Sequence, residues 1–213
     1  MNTKKLFAAF TSAILCTVPM LSMITANAAE TEQSKTYVVY HIAQNSSIAY
    51  FDFSINYDSD VIANESTATS LLDGGYFRST NNETSRKVQN TYNGDAIGGT
   101  GVLTSTKLYA PMTTTSIFDK ITYTNPVIRN ASNITLSPTS ITMEAILLGD
   151  ANQDGVVDSK DADAISAYIA NPSASPLSAA GLDAADVQAR GNGLNANDVL
   201  MIQQYIGGYI NNF

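Results

Sequence analysis

The chain of 213 residues has one cysteine, one histidine and no tryptophan. The cysteine, Cys16, lies in an N-terminal run that reads as a removable secretory leader. Lys4 and Lys5 open it, residues 6–24 are mostly apolar, and Ala26-Asn27-Ala28 forms a small-x-small cleavage pattern. A membrane anchor is the competing reading, but Thr, Ser and Pro19 interrupt the apolar stretch. Leu15, before Cys16, is too large for a lipid-attachment site. Cleavage leaves residues 29–213 with no cysteine, which excludes disulfides and a thiol nucleophile in an exported chain. The lone His41 excludes a histidine-built zinc centre. Basic residues are also scarce. Once Lys4 and Lys5 are gone, 9 stand against 19 acidic ones, a balance that argues against nucleic acid and anionic membrane surfaces as partners. Without tryptophan, a sugar-stacking platform would have to come from tyrosines such as Tyr50, Tyr76, Tyr92, Tyr109 and Tyr123.

What is present is concentrated in GDANQDGVVDSKD, residues 149–161. Oxygen side chains fall at loop positions 1, 3, 5, 9 and 12 as Asp150, Asn152, Asp154, Asp158 and Asp161. Gly155 stands at the sharp turn of position 6, and Val156 offers its carbonyl at position 7. A hard cation needs six or more oxygens at close range, and this spacing supplies them for calcium. The loop closes on Asp rather than Glu, and the segment before it, residues 140–148, reads as a strand. It is therefore a loop followed by a helix, half of an EF-hand. The helix carries Ala164, Ile165, Tyr168 and Ile169 at helical spacing and ends at Asn171-Pro172. A short connecting helix is expected over residues 177–182.

A second loop and helix follow, from Asp186 into Val199, Ile202, Tyr205 and Ile206. Aligned from its end, Asp198 answers Asp161, Asn195 answers Asp158 and Leu194 answers Val157, an internal repeat. The second loop is one residue longer and places Arg190 where an acidic ligand is expected; a cation there opposes the metal unless its long stem swings it into solvent, so the second site is expected to be weaker or to use Asn192 and backbone carbonyls after a bulge. Asp186, Asn192, Asn195 and Asp198 are its candidate ligands.

These two repeats, on the motif Gly-Asp-x-Asn-x-Asp-Gly-x-Val-Asp-x-x-Asp, resemble a type I-related dockerin module of the ruminococcal kind. The resemblance implies two calcium sites and docking onto a cohesin domain in a cellulosome-type assembly. It also implies recognition through Ser159, Lys160, Ser166 and Ala167 in the first repeat and Ala196, Asn197, Gln203 and Gln204 in the second. Because the two sets differ, a single docking orientation is expected. Crowded carboxylates in a module with little core imply that metal binding and folding are coupled.

Residues 36–146 read as β. Phe51, Phe53, Ile55 and Tyr57 alternate with Asp52, Ser54 and Asn56. Strands are expected at residues 36–42, 48–57, 86–92, 101–109, 116–124 and 140–146. Asn81-Asn82, Asn93-Gly94-Asp95 and Gly98-Gly99 read as separators, and residues 70–72 as a helical turn. A jelly-roll sandwich follows. Within it, residues 47–62, SIAYFDFSINYDSDVI, resemble the cohesin pattern of an aromatic-aspartate strand running into Tyr57-Asp58, and Gly101-Val102-Leu103 resembles a later glycine-led strand. In cohesins the former strand belongs to the sheet that receives a dockerin.

The expected organisation is a leader over residues 1–28, a tail over 29–35, an all-β cohesin-like sandwich over 36–147 and a small all-α calcium loop-helix module over 148–213. Asp52, Asp58, Asp60, Glu65, Asp73, Asp95, Asp119 and Glu144 form no recognisable catalytic pair, so no enzyme activity is expected. The expectation is a secreted, non-catalytic adaptor of a polysaccharide-degrading complex. Its alternative is a dockerin-carried carbohydrate-binding or structural cell-surface protein. No Pro/Thr-rich linker separates the modules, so a fixed geometry between them is expected.

Overall fold

In the computed structural model the described residues are 32–44, 47–72, 74–124, 126–136 and 141–213. The expected leader with Cys16, and residues 29–31 of the expected tail, fall outside them. Two antiparallel five-stranded sheets face each other. One is ordered β10-β1-β7-β3, with β4 also on β7: β10 is Ile141–Leu147, β1 Ser34–Ala43, β7 Gly101–Pro111, β3 Ile62–Ala63 and β4 Thr67–Ala68. The other is ordered β5-β6-β2-β8, with β9 also on β2: β5 is Tyr76–Asn82, β6 Lys87–Asn93, β2 Tyr50–Tyr57, β8 Ile121–Tyr123 and β9 Val127–Arg129. Single turns of 3-10 helix occupy Ser70–Leu72 and Ile117–Asp119.

The period-two pattern of β2 makes the sandwich. Phe51, Phe53, Ile55 and Tyr57 are all buried on its inner face. Phe51 stands 5.3 Å from Phe53 and 5.5 Å from Tyr92, and Phe53 5.5 Å from Tyr123, ring to ring. Each such side chain removed from water contributes ~1.5–3 kcal/mol. Tyr92 and Tyr123 are thereby core residues, so two of the five tyrosines considered for sugar stacking are unavailable for it. His41 is fully buried beside Phe53.

Strand β1 differs from β2 in burying both faces. Tyr37, Val39 and Ala43 point into the sandwich; Val38 and Tyr40 point the other way, into a separate apolar cluster with the C-terminal helices. Those helices are α1 Ser159–Ala170, α2 Ala179–Ala185 and α3 Ala196–Ile206. Asp158 and Asn195 cap α1 and α3, each in a capping box closed by the aspartate three residues on. Ser178 caps α2, which therefore starts at Ala179 rather than at 177. Ala162, Ile165, Val187, Ile202, Tyr205 and Phe213 pack with Val38, Tyr40, Ile146 and Leu148. Sandwich and helices thus form one compact unit, as the missing linker implies.

Several expectations need correction. Ile169 and Ile206, placed on the apolar stripes, are 40% and 42% exposed. Asn81-Asn82 do not separate strands but end β5, where Asn81 is held by Tyr57 Oη and by the Ala63 carbonyl. The expected strand over residues 116–124 is divided, because Ser116 caps a 3-10 turn ahead of β8.

Candidate functional site

The first loop is shaped by its own carboxylates. Asp150 Oδ1 accepts from Asp154 N at 3.0 Å and Oδ2 from Gly155 N at 2.9 Å. Asp161 Oδ1 accepts from Asn152 N at 3.1 Å and Oδ2 from Asp158 N at 2.8 Å, so one side chain ties the loop's start to its end. Asn152 Oδ1 takes Asp154 N, and Asp154 Oδ1 takes Val156 N. Gly155 has φ +86°, a conformation that glycine adopts without a Cβ penalty. Burial raises the Asp150 and Asp161 carboxyls, against the pull of these N–H donors; the charge of Asp154 raises both, and that of Asp150 adds to it at Asp161. Asp158 is lowered, chiefly by Lys160 N. The Lys160 ammonium lies 3.1 Å from Asp158 and 3.7 Å from Asp154. Asp150, Asn152, Asp154, Asp158, Asp161 and the Val156 carbonyl are therefore brought onto one turn.

The second loop repeats this geometry. Asp198 Oδ1 accepts from Val187 N and Gln188 N, and Oδ2 from Asn195 N at 2.9 Å. Asp186 Oδ2 accepts from Gly191 N at 2.8 Å. Left-handed residues coincide as well: Gln153 with Ala189, and Gly155 with Gly191. The frame sets Asp186 at position 1, Gln188 at 3, Arg190 at 5 and Gly191 at 6. The extra residue enters after Asn192, where Gly193 again has positive φ. Gln188 is thus the counterpart of Asn152, which alignment from the loop's end alone missed; alignment from Asp186 forward reaches it. Asn192 is exposed, its amide 3.4 Å from Gln188 Oε1.

Arg190 is drawn off the loop's carboxylates by other partners. Its guanidinium does not extend into solvent but turns to the sandwich, donating to Asp183 O at 2.9 Å and to Tyr40 Oη at 3.0 Å, and pairing with the Asp183 carboxylate.

Among the described residues no three Asp, Glu, His or Cys side chains converge as a ready-made metal cluster. The donor set nevertheless fits a hard cation, since half of it is Asn, Gln and backbone carbonyl, and Asp186 Oδ1 is buried with no hydrogen-bond partner. Ser159, Lys160, Ser166, Ala167, Ala196, Asn197, Gln203 and Gln204 are all exposed.

On the sandwich, the helices cover the outer face of β10 and β1. The outer face of the other sheet carries cross-strand rows: Tyr76, Asn93, Tyr50 and Arg129, then Arg78, Thr91, Asp52 and Val127. Gln89 donates to Asp52 at 3.1 Å, and the Arg129 guanidinium lies 5.3 Å over the Tyr50 ring. This face mixes polar side chains with the exposed Tyr76 and Val127, and Ser54 within it is buried.

The dockerin type I domain family matches residues 148–207. A search of curated proteins returns no match. A non-cellulosomal cohesin from the hyperthermophilic archaeon Archaeoglobus fulgidus aligns at 14% identity and TM-score 0.40, over 50% of this chain and 75% of its own. The sixth cohesin of Acetivibrio cellulolyticus scaffoldin B, solved with a mutant dockerin, aligns at 15% identity and TM-score 0.37, over 49% and 82%. Two capped loop-helix repeats of matching geometry and the family match together make residues 148–207 a dockerin type I domain, packed on a two-sheet sandwich.

Proposed function

We propose that this protein is a secreted, non-catalytic adaptor of a cellulosome-type complex, docking by its calcium-loaded dockerin onto a cohesin. One observation carries this reading. The dockerin is fixed by its back to one sheet of the sandwich, while its eight recognition positions and the outer face of the opposite sheet both remain open. A body with two open faces and a rigid joint suits a connector. Calcium at the two loops neutralises Asp150, Asp154, Asp158 and Asp161 and orders α1 behind them; Asp186, Asn195 and Asp198, with Gln188, hold the second ion. The flat outer sheet, with Arg78, Lys87 and Arg129 against Asp52, offers a net positive surface to an acidic dockerin-bearing partner.

A carbohydrate-binding sandwich is the second reading, favoured by Tyr76 at 69% exposed. Tyr50 is its row mate, but Asn93 stands between them and Arg129 covers Tyr50, so no continuous aromatic platform forms. Of the carboxylates weighed for catalysis, Asp52 is bonded to Gln89, and Asp58 and Asp60 are paired with Lys120.

Calorimetry of residues 29–213 against panels of cohesins and dockerins, in calcium and in chelator, tests the proposal. Cohesin binding that chelator abolishes, together with dockerin binding weakened by Arg78→Glu, is the expected result. No heat with any dockerin, alongside binding of a polysaccharide, would overturn the adaptor reading.

A further inference from the structure

The second loop poses an electrostatic problem that the first does not. Its fifth position, filled by Asp154 in the first loop, holds Arg190. A guanidinium pointing into the loop would face any cation held by Asp186 and Asp198 and would itself pair with those carboxylates. It turns from those carboxylates to partners outside the loop, while Nη1 stays 3.4 Å from the Asp186 carbonyl oxygen at the loop's start. Asp183, on α2, takes the guanidinium on both its carboxylate and its carbonyl. Tyr40, on β1 of the sandwich, accepts from Arg190 Nη2 at 3.0 Å while donating to Asp183 Oδ2 at 2.6 Å. Burial and that bond to Asp183 raise the Tyr40 phenol to about 12, so it stays a neutral donor and acceptor. The side chain of Arg190 is only 25% exposed. The loop contains Asp186 Oδ1, buried and without a hydrogen-bond partner.

We propose that Tyr40 and Asp183 form a latch holding the Arg190 guanidinium away from the carboxylates of the second loop, which can thereby take a divalent cation despite a basic residue at its fifth position. The sandwich then contributes to metal affinity at a loop it does not itself build. Tyr40 and Asp183 are positioning residues, acting only through Arg190. The inference rests on the calcium reading of the loops given above.

The test is calcium titration of residues 29–213 by calorimetry, with terbium luminescence as a second readout. Tyr40→Phe keeps the ring in its apolar cluster and removes the hydroxyl; Asp183→Asn keeps the shape and removes the charge. Each is expected to weaken the second site on the order of 3- to 10-fold, within the lower part of the range of coupling between contacting side chains, and to leave the first site unchanged. In an Arg190→Gln background neither change should affect the second site. Unchanged second-site affinity in both single variants overturns the latch, as does the same loss in the Arg190→Gln background. So does a protein that binds one ion at the first loop and none at the second. Binding at neither loop would overturn the calcium reading as well, which separates the two failures.

Discussion

The ring of Phe213 lies 4.6 Å from the ring of Tyr205, centroid to centroid, and both are buried where the dockerin meets the sandwich. Tyr205 Oη donates to the Ser34 carbonyl at 3.0 Å, Phe213 N to Thr36 Oγ1 at 3.1 Å, and Lys107 Nζ to the Phe213 carbonyl at 3.2 Å. Phe213→Ala would leave a hole among Tyr205, Gly149 and β1. The expected loss is ~3–5 kcal/mol, read from denaturant midpoints. Far-ultraviolet circular dichroism and tyrosine fluorescence should follow one transition in the parent protein and separate in the variant, where helices release before strands.

Asp150 and Asp161 organise the first loop from opposite ends. Asp150→Asn and Asp161→Asn keep size but remove a charge. Each variant should lose the first loop's share of the calcium-dependent rise in unfolding free energy, ~2.7 kcal/mol for one site at a hundredfold excess over Kd. Thermal melts with calcium and with chelator measure it. A variant still stabilised like the parent would show that the ion binds elsewhere.

His41 should make the sandwich acid-sensitive. Burial pushes its imidazole down to about 3, while an unfolded histidine titrates near ~6.5. Between those values the unfolded chain binds a proton that the native chain does not. Native stability therefore falls as pH drops below ~6.5, by up to ~1.4 kcal/mol per pH unit, and is independent of this group above pH 7. Asp150 and Asp161, raised by burial, act in the opposite sense, so the contribution is isolated by comparison with His41→Leu. The gap between parent and variant should shift in favour of the variant from pH 7 to pH 5. Parallel curves would refute the assignment.

The recognition positions are exposed and lie outside the apolar clusters, so they should separate binding from stability. Lys160→Glu with Ser166→Tyr should leave the melting midpoint within about 0.5 kcal/mol of the parent and abolish capture by the cognate cohesin. The same treatment of Ala196 and Gln203 should have a smaller effect if one orientation dominates. Equal losses from both repeats would indicate two docking modes.

Much of this was legible because the signals are local. The alternation from Phe51 to Tyr57 marks a half-buried strand in any context, and the capping boxes at Asp158 and Asn195 mark helix starts without tertiary help. Strand β5 was hidden because Arg78, Thr80 and Asn82 face solvent and its inner face has little but Phe77 to identify it. The two-residue strands β3 and β4 exist only because β7 is long enough to pair with them. Ile169 and Ile206 looked like core by spacing, yet the helices bury a narrower stripe once the sheet takes the other side. Arg190 could not be placed from sequence at all, since its partner Tyr40 lies 150 residues away.

Strand β1 is buried on both faces and paired on both edges, with Tyr37 opposite Leu108 on one side and Leu147 on the other. Among the described residues it is the first element in chain order, yet β7 and β10 begin at Gly101 and Ile141, and the helices that cover Val38 and Tyr40 come last. Ile55 and Tyr57 of β2, close behind it, can pack on Tyr37 and Val39, but nothing before β10 and the helices covers Val38. The closing of these long loops must therefore come late and together, with the rate set by topology rather than by local propensity. The chain stays open, and accessible to whatever handles nascent polypeptide, until its C-terminal helices are in place.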